Sequence, residues 1–281
     1  MQNNRLLFLT TEAELLKNRH DFFLDILRAN FIIDIKVILK SWEKEFFETP
    51  FNSKKYRAVI FWGDIPDTKM VDLIKSANPV FCPMADCVRT KKLAWWYRIR
   101  RCKIICFSKT LSNFLNKHDF YLKKYEYWAQ VDEKIAKFPK ILSETRALNV
   151  YVDSEITEKN QKIIDKLFKF QKYKIHECVK ENTHLYLSLK ENAGLDREFF
   201  RAQSLGVVPI TNTNFGLGDY IEDKKTGYKY RADLPLYIDF RDLFEVRELM
   251  LKTIKINSVR AKVQRKNIIK FILQKNSSYN F

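Results

Sequence analysis

Short apolar runs alternate with amphipathic stretches of helical length along most of this chain. Residues 6–10 predict a strand. Residues 12–28 predict a helix with Leu15, Phe22, Phe23, Ile26 and Leu27 on its buried side, because those positions recur at helical spacing. Further strands are expected at 31–39, 58–62, 80–81 and 103–107, separated by helical candidates at 68–76, 88–98 and 109–117. Strands that alternate with helices in this way imply an α/β class with mainly parallel sheets, since parallel neighbours need crossover connections.

The pattern loosens over 119–146, where Tyr, Lys and Trp crowd together and Pro139 interrupts, and then restarts. Strands are expected at 148–152, 174–176, 185–189 and 207–211, helices at 159–170 and 195–205, and two or more helices after that. A length of 281 residues favours two packed units. The expected division is 1–143 as a first Rossmann-like domain, 144–258 as a second, and 259–281 as a terminal helix. Two such sheets in tandem leave a cleft, and ligands in open α/β sheets bind outside the carboxyl ends of the strands.

Charge changes the picture next. The chain has 51 Lys and Arg against 34 Asp and Glu, a net charge of +17, which suits polyanionic partners such as phosphorylated substrates, anionic lipid or nucleic acid. No apolar run approaches the roughly 18 residues of a membrane span, and the start of the chain is too short in apolar length and too acidic for a secretory signal. A cytoplasmic location is therefore expected, peripheral at the inner face of the membrane. Five cysteines suggest reduced, mostly buried thiols rather than a disulfide framework.

Glycine is concentrated where chemistry is expected. Five of the six glycines (Gly194, Gly206, Gly216, Gly218 and Gly227) fall in one stretch, with Gly63 alone elsewhere. The loop 190–194 delivers Glu191, Asn192 and Gly194 to a helix expected to start at Leu195, whose free N–H groups and positive dipole end favour phosphate. A second glycine loop, Gly216-Leu217-Gly218, follows one strand later on the same rim.

These segments carry a resemblance. Leu187-Ser-Leu-Lys-Glu-Asn-Ala-Gly-Leu, Arg201-Ala-Gln-Ser-Leu-Gly-Val-Val-Pro-Ile, Asn214-Phe-Gly-Leu-Gly-Asp-Tyr-Ile and Thr226-Gly-Tyr resemble the donor-binding half of GT-B glycosyltransferases, specifically the retaining group called family 4. The match covers roughly residues 150–230, and the resemblance implies that the terminal helix at 259–281 crosses back to the first domain. It implies transfer of a sugar from a nucleotide diphosphate to a glycan or lipid-linked acceptor in cell-surface polysaccharide synthesis, with no metal and no cofactor beyond the donor itself. Carried over, Glu191 would hold donor-sugar hydroxyls, Gly194 and Leu195 would offer backbone N–H groups, and Lys159 would neutralise the leaving diphosphate. Two positions depart from the family pattern. Residue 199 is Phe199 where a second glutamate is usual, leaving Glu198 and Arg201 as candidates for the nucleotide, and Ser154 stands where an arginine is common.

The remaining candidates carry competing readings. Asp86 suits an acceptor-side base or a helix cap. Lys159 suits a phosphate contact or a plain surface lysine. The pairs Cys82/Cys87 and Cys102/Cys106 can be drawn as zinc ligands, but the second pair lies in an expected strand, so no metal site is expected. No Asp-x-Asp triplet occurs in the chain, which argues against transferases that hold the diphosphate through a divalent ion. Residues 89–124 hold eleven Lys or Arg against Asp119 alone. Lys91, Lys92, Trp95, Trp96, Arg98, Arg100 and Arg101 form an aromatic and basic patch suited to an anionic membrane or the acceptor. Binding to nucleic acid is disfavoured for want of a reader motif. The competing function is a non-catalytic polyanion-binding module in which the charge itself is the function.

Overall fold

The computed structural model describes residues 4–16, 20–38, 52–63, 78–84, 91–118, 123–127, 147–180, 182–190, 196–212 and 216–275. The chain divides into two units, Met1–Ala129 with Ala261–Phe281, and Gln130–Arg260.

The first unit holds β1 (Arg5–Thr11), α1 (Glu12–Leu16), α2 (Asp21–Arg28), β2 (Ile32–Ile38), β3 (Ala58–Gly63), β4 (Pro79–Pro83), α3 (Leu93–Arg98), β5 (Lys103–Cys106), α4 (Lys109–Lys117) and β6 (Lys124–Glu126). Its six strands are all parallel, in the order β2-β1-β3-β4-β5-β6. The central strands β3, β4 and β5 are buried along their whole length, which is why they read as continuous apolar runs rather than alternating ones. The expected helix over 12–28 is two pieces, α1 and α2. Ser108 caps α4, its Oγ accepting from Leu111 N at 3.2 Å. The expected helix at 68–76 lies outside the described residues.

The second unit holds β7 (Leu148–Val152), α5 (Glu158–Leu167), β8 (Tyr173–His176), β9 (Leu185–Leu187), α6 (Arg197–Ser204), β10 (Val208–Asn212) and β11 (Tyr228–Tyr230). Its five parallel strands run in the order β11-β10-β9-β7-β8. Leu148, Val150, Leu185, Leu187, Val208 and Ile210 pack with Ile164, Leu167 and Phe168 of the α5 region into one apolar core. Thr157 caps α5 through Asn160 N at 3.3 Å.

Two or more terminal helices were expected. Instead one helix, α7 (Phe240–Leu273), runs for 34 residues. Leu243 and Val246 near its start belong to the second core, and from Ala261 onward it belongs to the first unit. The helix expected at 259–274 is thus the last part of a longer element. Its end is held by the first sheet. Lys103 Nζ donates to the carbonyls of Phe271, Ile272 and Gln274 at 2.7, 2.6 and 2.7 Å, and Asn78 Nδ2 donates to Ile272 O at 2.7 Å. The last carbonyls of a helix have no partner within it, so an ammonium with three donors fits there.

Candidate functional site

Both sheets reverse their winding direction after the first strand, so each has a switch point where the connections leave on opposite faces. Such a point opens a crevice at the strand carboxyl ends. In the second sheet it falls between β7 and β9, and polar side chains gather there. Asp153 follows β7 directly. Its side chain is only 2% exposed, yet both oxygens are engaged. Ser188 Oγ donates to Asp153 Oδ2 at 2.7 Å, while Leu189 N and Ser154 Oγ donate to Oδ1 at 3.2 and 2.9 Å. The Asp153 carboxylate thus ties the end of β7 to the end of β9.

The loop after β9 is anchored on its other side as well. Tyr230 Oη donates to Ser188 O at 3.2 Å, and Asn212 Nδ2 donates to Lys190 O at 3.4 Å. Ends of four strands, β7, β9, β10 and β11, therefore converge on residues 188–190. Lys190 Nζ lies 3.5 Å from Asp153 Oδ2 and 3.3 Å from Asp196 Oδ2. Tyr186 Oη donates to Asp196 Oδ2 at 3.2 Å. Burial and the two nearby carboxylates raise the Tyr186 phenol well above its ordinary value, so it stays protonated and able to donate.

Glu191, Asn192, Gly194 and Leu195 lie outside the described residues, as does Asp86 in the first unit. The helix expected to start at Leu195 starts at Arg197 instead. Asp196 is its cap, with Oδ1 accepting from Glu198 N at 2.8 Å. One of the N–H groups expected to face phosphate is therefore already satisfied by a carboxylate. Glu198 and Arg201 sit one turn apart on α6, with Arg201 Nη1 3.4 Å from Glu198 Oε2, and both are at least partly exposed. Lys159 is exposed in the first turn of α5 and has no ion-pair partner among the described residues. Gly216 has φ +88°, a conformation open to glycine, and starts the 3-10 turn Leu217–Tyr220 that includes Gly218. Tyr220 packs edge-on to Phe200 of α6, ring centroids 5.1 Å apart. Because the strands are parallel and β10, β9 and β7 are neighbours, Lys159, Lys190 and the Gly216 turn all follow carboxyl ends on one rim of this sheet.

The sequence assigned no role to Asp153, Lys190 or Asp196, and Ser188 stood there only as part of the quoted motif that starts at Leu187. Asp153 carries no signal until the strand order sets β7 beside β9.

In the first unit the aromatic and basic patch is partly corrected. Trp96 is buried, 1% exposed, and packs against Phe114 at 6.2 Å, so it belongs to the core rather than the surface. Trp95 is half-buried against Phe81. Lys91 Nζ lies 6.0 Å from the Trp95 ring centroid, within reach of a cation–π contact. Lys92, Leu93, Tyr97, Arg98, Arg100 and Arg101 are exposed. Lys103, counted with the basic stretch, is fully buried as the helix clamp, and burial together with Lys123 lowers it to about 7. Cys82, Cys102 and Cys106 are buried, and burial raises the Cys106 thiol to about 12.

Solved structures share this fold over most of the chain at low sequence identity. Anabaena Alr3699/HepE in complex with UDP and glucose superposes with a TM-score of 0.61 at 10% identity, over 95% of this chain and 99% of that one. A glycosyltransferase from Rickettsia africae ESF-5 gives 0.62 at 11% identity, over 98% and 100%. The apo lipopolysaccharide outer core galactosyltransferase WaaB gives 0.52 at 12%, over 89% and 91%. The fold is GT-B. No protein-family model and no curated protein sequence matches the chain. The GT-B likeness thus lies in the architecture. Among the described residues, no helix is long and apolar enough to cross a membrane.

Proposed function

We propose that this chain is a glycosyltransferase that moves a sugar from a nucleotide-diphosphate donor to a glycan or lipid-linked acceptor in cell-surface polysaccharide synthesis. The observation that carries the reading is the polar rim of the second sheet, where Asp153, Ser188 and Lys190 meet at the switch point between β7 and β9, with Lys159 and the Gly216 turn in segments that follow strand carboxyl ends on the same edge. The GT-B fold supports it, because Alr3699/HepE has been solved with UDP-glucose, and with UDP and glucose.

The chemistry is that of a leaving diphosphate. As the bond from the anomeric carbon to the phosphate oxygen breaks, negative charge grows on the phosphate. Cations and backbone N–H groups aimed at it stabilise the transition state more than the ground state. Lys159 and the loop around Gly194 and Leu195 fill these roles in the proposed scheme, Glu191 and Asn192 hold the donor sugar, and Glu198, Arg201 and the turn at Gly216 and Gly218 approach the nucleotide. Retention of configuration and independence from metal follow from the family resemblance. Asp86 is the acceptor-side base in this scheme. The exposed Lys92, Arg98, Arg100 and Arg101 around α3, with Leu93 and Tyr97 among them, suit an anionic membrane surface, which brings the first unit to a lipid-linked acceptor.

Titration calorimetry against UDP, GDP, ADP and dTDP tests the donor reading. Micromolar binding to one of them, weakened about ten-fold or more in Glu191→Ala and in Lys159→Ala, is expected. Indifference to all four, with tight salt-sensitive binding to RNA, would establish the polyanion-binding module instead. Sedimentation with anionic but not neutral vesicles, lost on charge reversal at Arg98, Arg100 and Arg101, tests the membrane contact.

A further inference from the structure

Resting on the donor reading above, we propose that Lys190 is a diphosphate-binding cation of this site and that Asp153 and Asp196 are its internal competitors, holding the ammonium before the donor arrives and reclaiming it as the nucleoside diphosphate leaves. Neither resemblance nor spacing assigns Lys190 or the two aspartates a role. The assignment comes from the geometry of the switch point.

Lys190 is shared rather than locked. Its Nζ lies 3.3 Å from Asp196 Oδ2 and 3.5 Å from Asp153 Oδ2, while its side chain remains 47% exposed. Asp153 is the fixed partner. Its side chain is 2% exposed and already accepts from Ser188 Oγ, Leu189 N and Ser154 Oγ. Asp196 is fixed too, through Glu198 N and Tyr186 Oη. Only the lysine, with its flexible four-carbon stem, can follow a ligand. Two carboxylates and one ammonium leave the cluster with one net negative charge. A diphosphate entering beside it is attracted by Lys190 and repelled by the aspartates, so bound product meets a built-in opponent.

That arrangement has a signature that a structural role cannot imitate. Changing Asp153 to Asn removes the charge, keeps an acceptor oxygen for Leu189 N and Ser154 Oγ, and reverses the Ser188 contact so that the amide donates to the hydroxyl, while changing Asp196 to Asn keeps an effective helix cap. If the aspartates only support the fold, such changes weaken binding or leave it alone. If they compete for Lys190, the changes tighten it.

Calorimetry on the full chain decides, using whichever of UDP, GDP, ADP and dTDP binds the unsubstituted protein most tightly, with its nucleoside as control. Lys190→Met is expected to weaken diphosphate binding about ten-fold, in line with loss of one charge-assisted contact, and to change nucleoside binding less than about two-fold. Asp153→Asn and Asp196→Asn are each expected to tighten diphosphate binding by about three- to ten-fold, less so at high salt. In combination with Lys190→Met that gain should shrink to the smaller part that relief of direct repulsion supplies. Unchanged affinity in Lys190→Met, or weaker or equal affinity in Asp196→Asn with an unaltered melting temperature, overturns the assignment while the donor reading stands. Should Asp153→Asn fail to fold, Asp196→Asn, at a less buried position, decides alone. If the unsubstituted chain binds none of the four nucleotides, the donor reading falls and this assignment falls with it.

Discussion

The two sheets share a strand order but differ in what stands at the switch point. In the second sheet, the ends of β7 and β9 are joined by Asp153, Ser188 and Lys190, a hydrogen-bonded and partly charged rim. In the first, the ends of β1 and β3 are packed with rings. Trp62 lies 5.8 Å from Phe8, 5.5 Å from Phe23 and 5.3 Å from Phe107. His20 joins that cluster, 6.1 Å from Phe8, and Glu14 is folded against Gly63. The same topology thus yields one rim whose energy comes from apolar burial and another whose energy comes from hydrogen bonds among ionised groups. Topology says where a site can lie; the side chains at that place say whether a polar ligand can use it.

The comparison predicts that damage to the first rim is read in stability and damage to the second in binding. The largest effect is expected from Trp62→Ala, since removing a fully buried indole from a ring cluster costs about 3–5 kcal/mol. Urea denaturation measures it, and nucleotide affinity of the folded fraction should not change. A comparable loss of affinity would mean that the first rim belongs to the donor site. Next comes Lys103→Met, which leaves the carbonyls of Phe271 and Gln274 without this donor and Ile272 O with Asn78 alone, at about 2–4 kcal/mol by the same measurement. A neutral result would show that water replaces the ammonium.

Acid sharpens the contrast from the other end of β9. His184 Nδ1 accepts from Asn149 N at 3.0 Å, and burial together with the Arg247 charge lowers its pKa from the ordinary 6.5 to about 4. The unfolded chain therefore binds the extra proton first. The stability tied to neutral His184 is complete above about pH 6.5, falls by up to about 1.4 kcal/mol per pH unit as the pH drops, and levels off below 4. Thermal melts from pH 7 to 4 should show this slope, reduced in His184→Asn. Burial lowers His20 in the first rim as well, with the same sign. The smallest change in stability is expected from Ser188→Ala, about 1 kcal/mol. If that variant loses stability on the scale of Trp62→Ala, the second rim is a packing element and the contrast fails.

Much of the layout was readable from hydrophobic runs. The strand expected at 148–152 is Leu148–Val152, and the helix expected at 109–117 is Lys109–Lys117. These succeed because a strand buried on both faces is mostly apolar, and an amphipathic helix must repeat its apolar positions every turn. The strands Lys124–Glu126 and Tyr228–Tyr230 were missed because each is a three-residue edge element rich in polar residues, held by pairing with a neighbour rather than by its own pattern. Lys103 was misjudged for a related reason. Nothing near it in the chain reveals that the carbonyls of residues more than 160 positions away will meet it.

The amino-acid sequence alone determined that this is a basic, parallel α/β protein with its glycines gathered in the second half, because periodicity, charge and backbone freedom are local properties of the chain. Tertiary structure alone decided that Asp153 and Lys190 share one rim, that Asp196 caps α6, that Trp96 turns inward and that α7 ends on Lys103. Each of these depends on which strands and helices become neighbours, and neighbourhood across a sheet is settled by the free energy of the whole packed core.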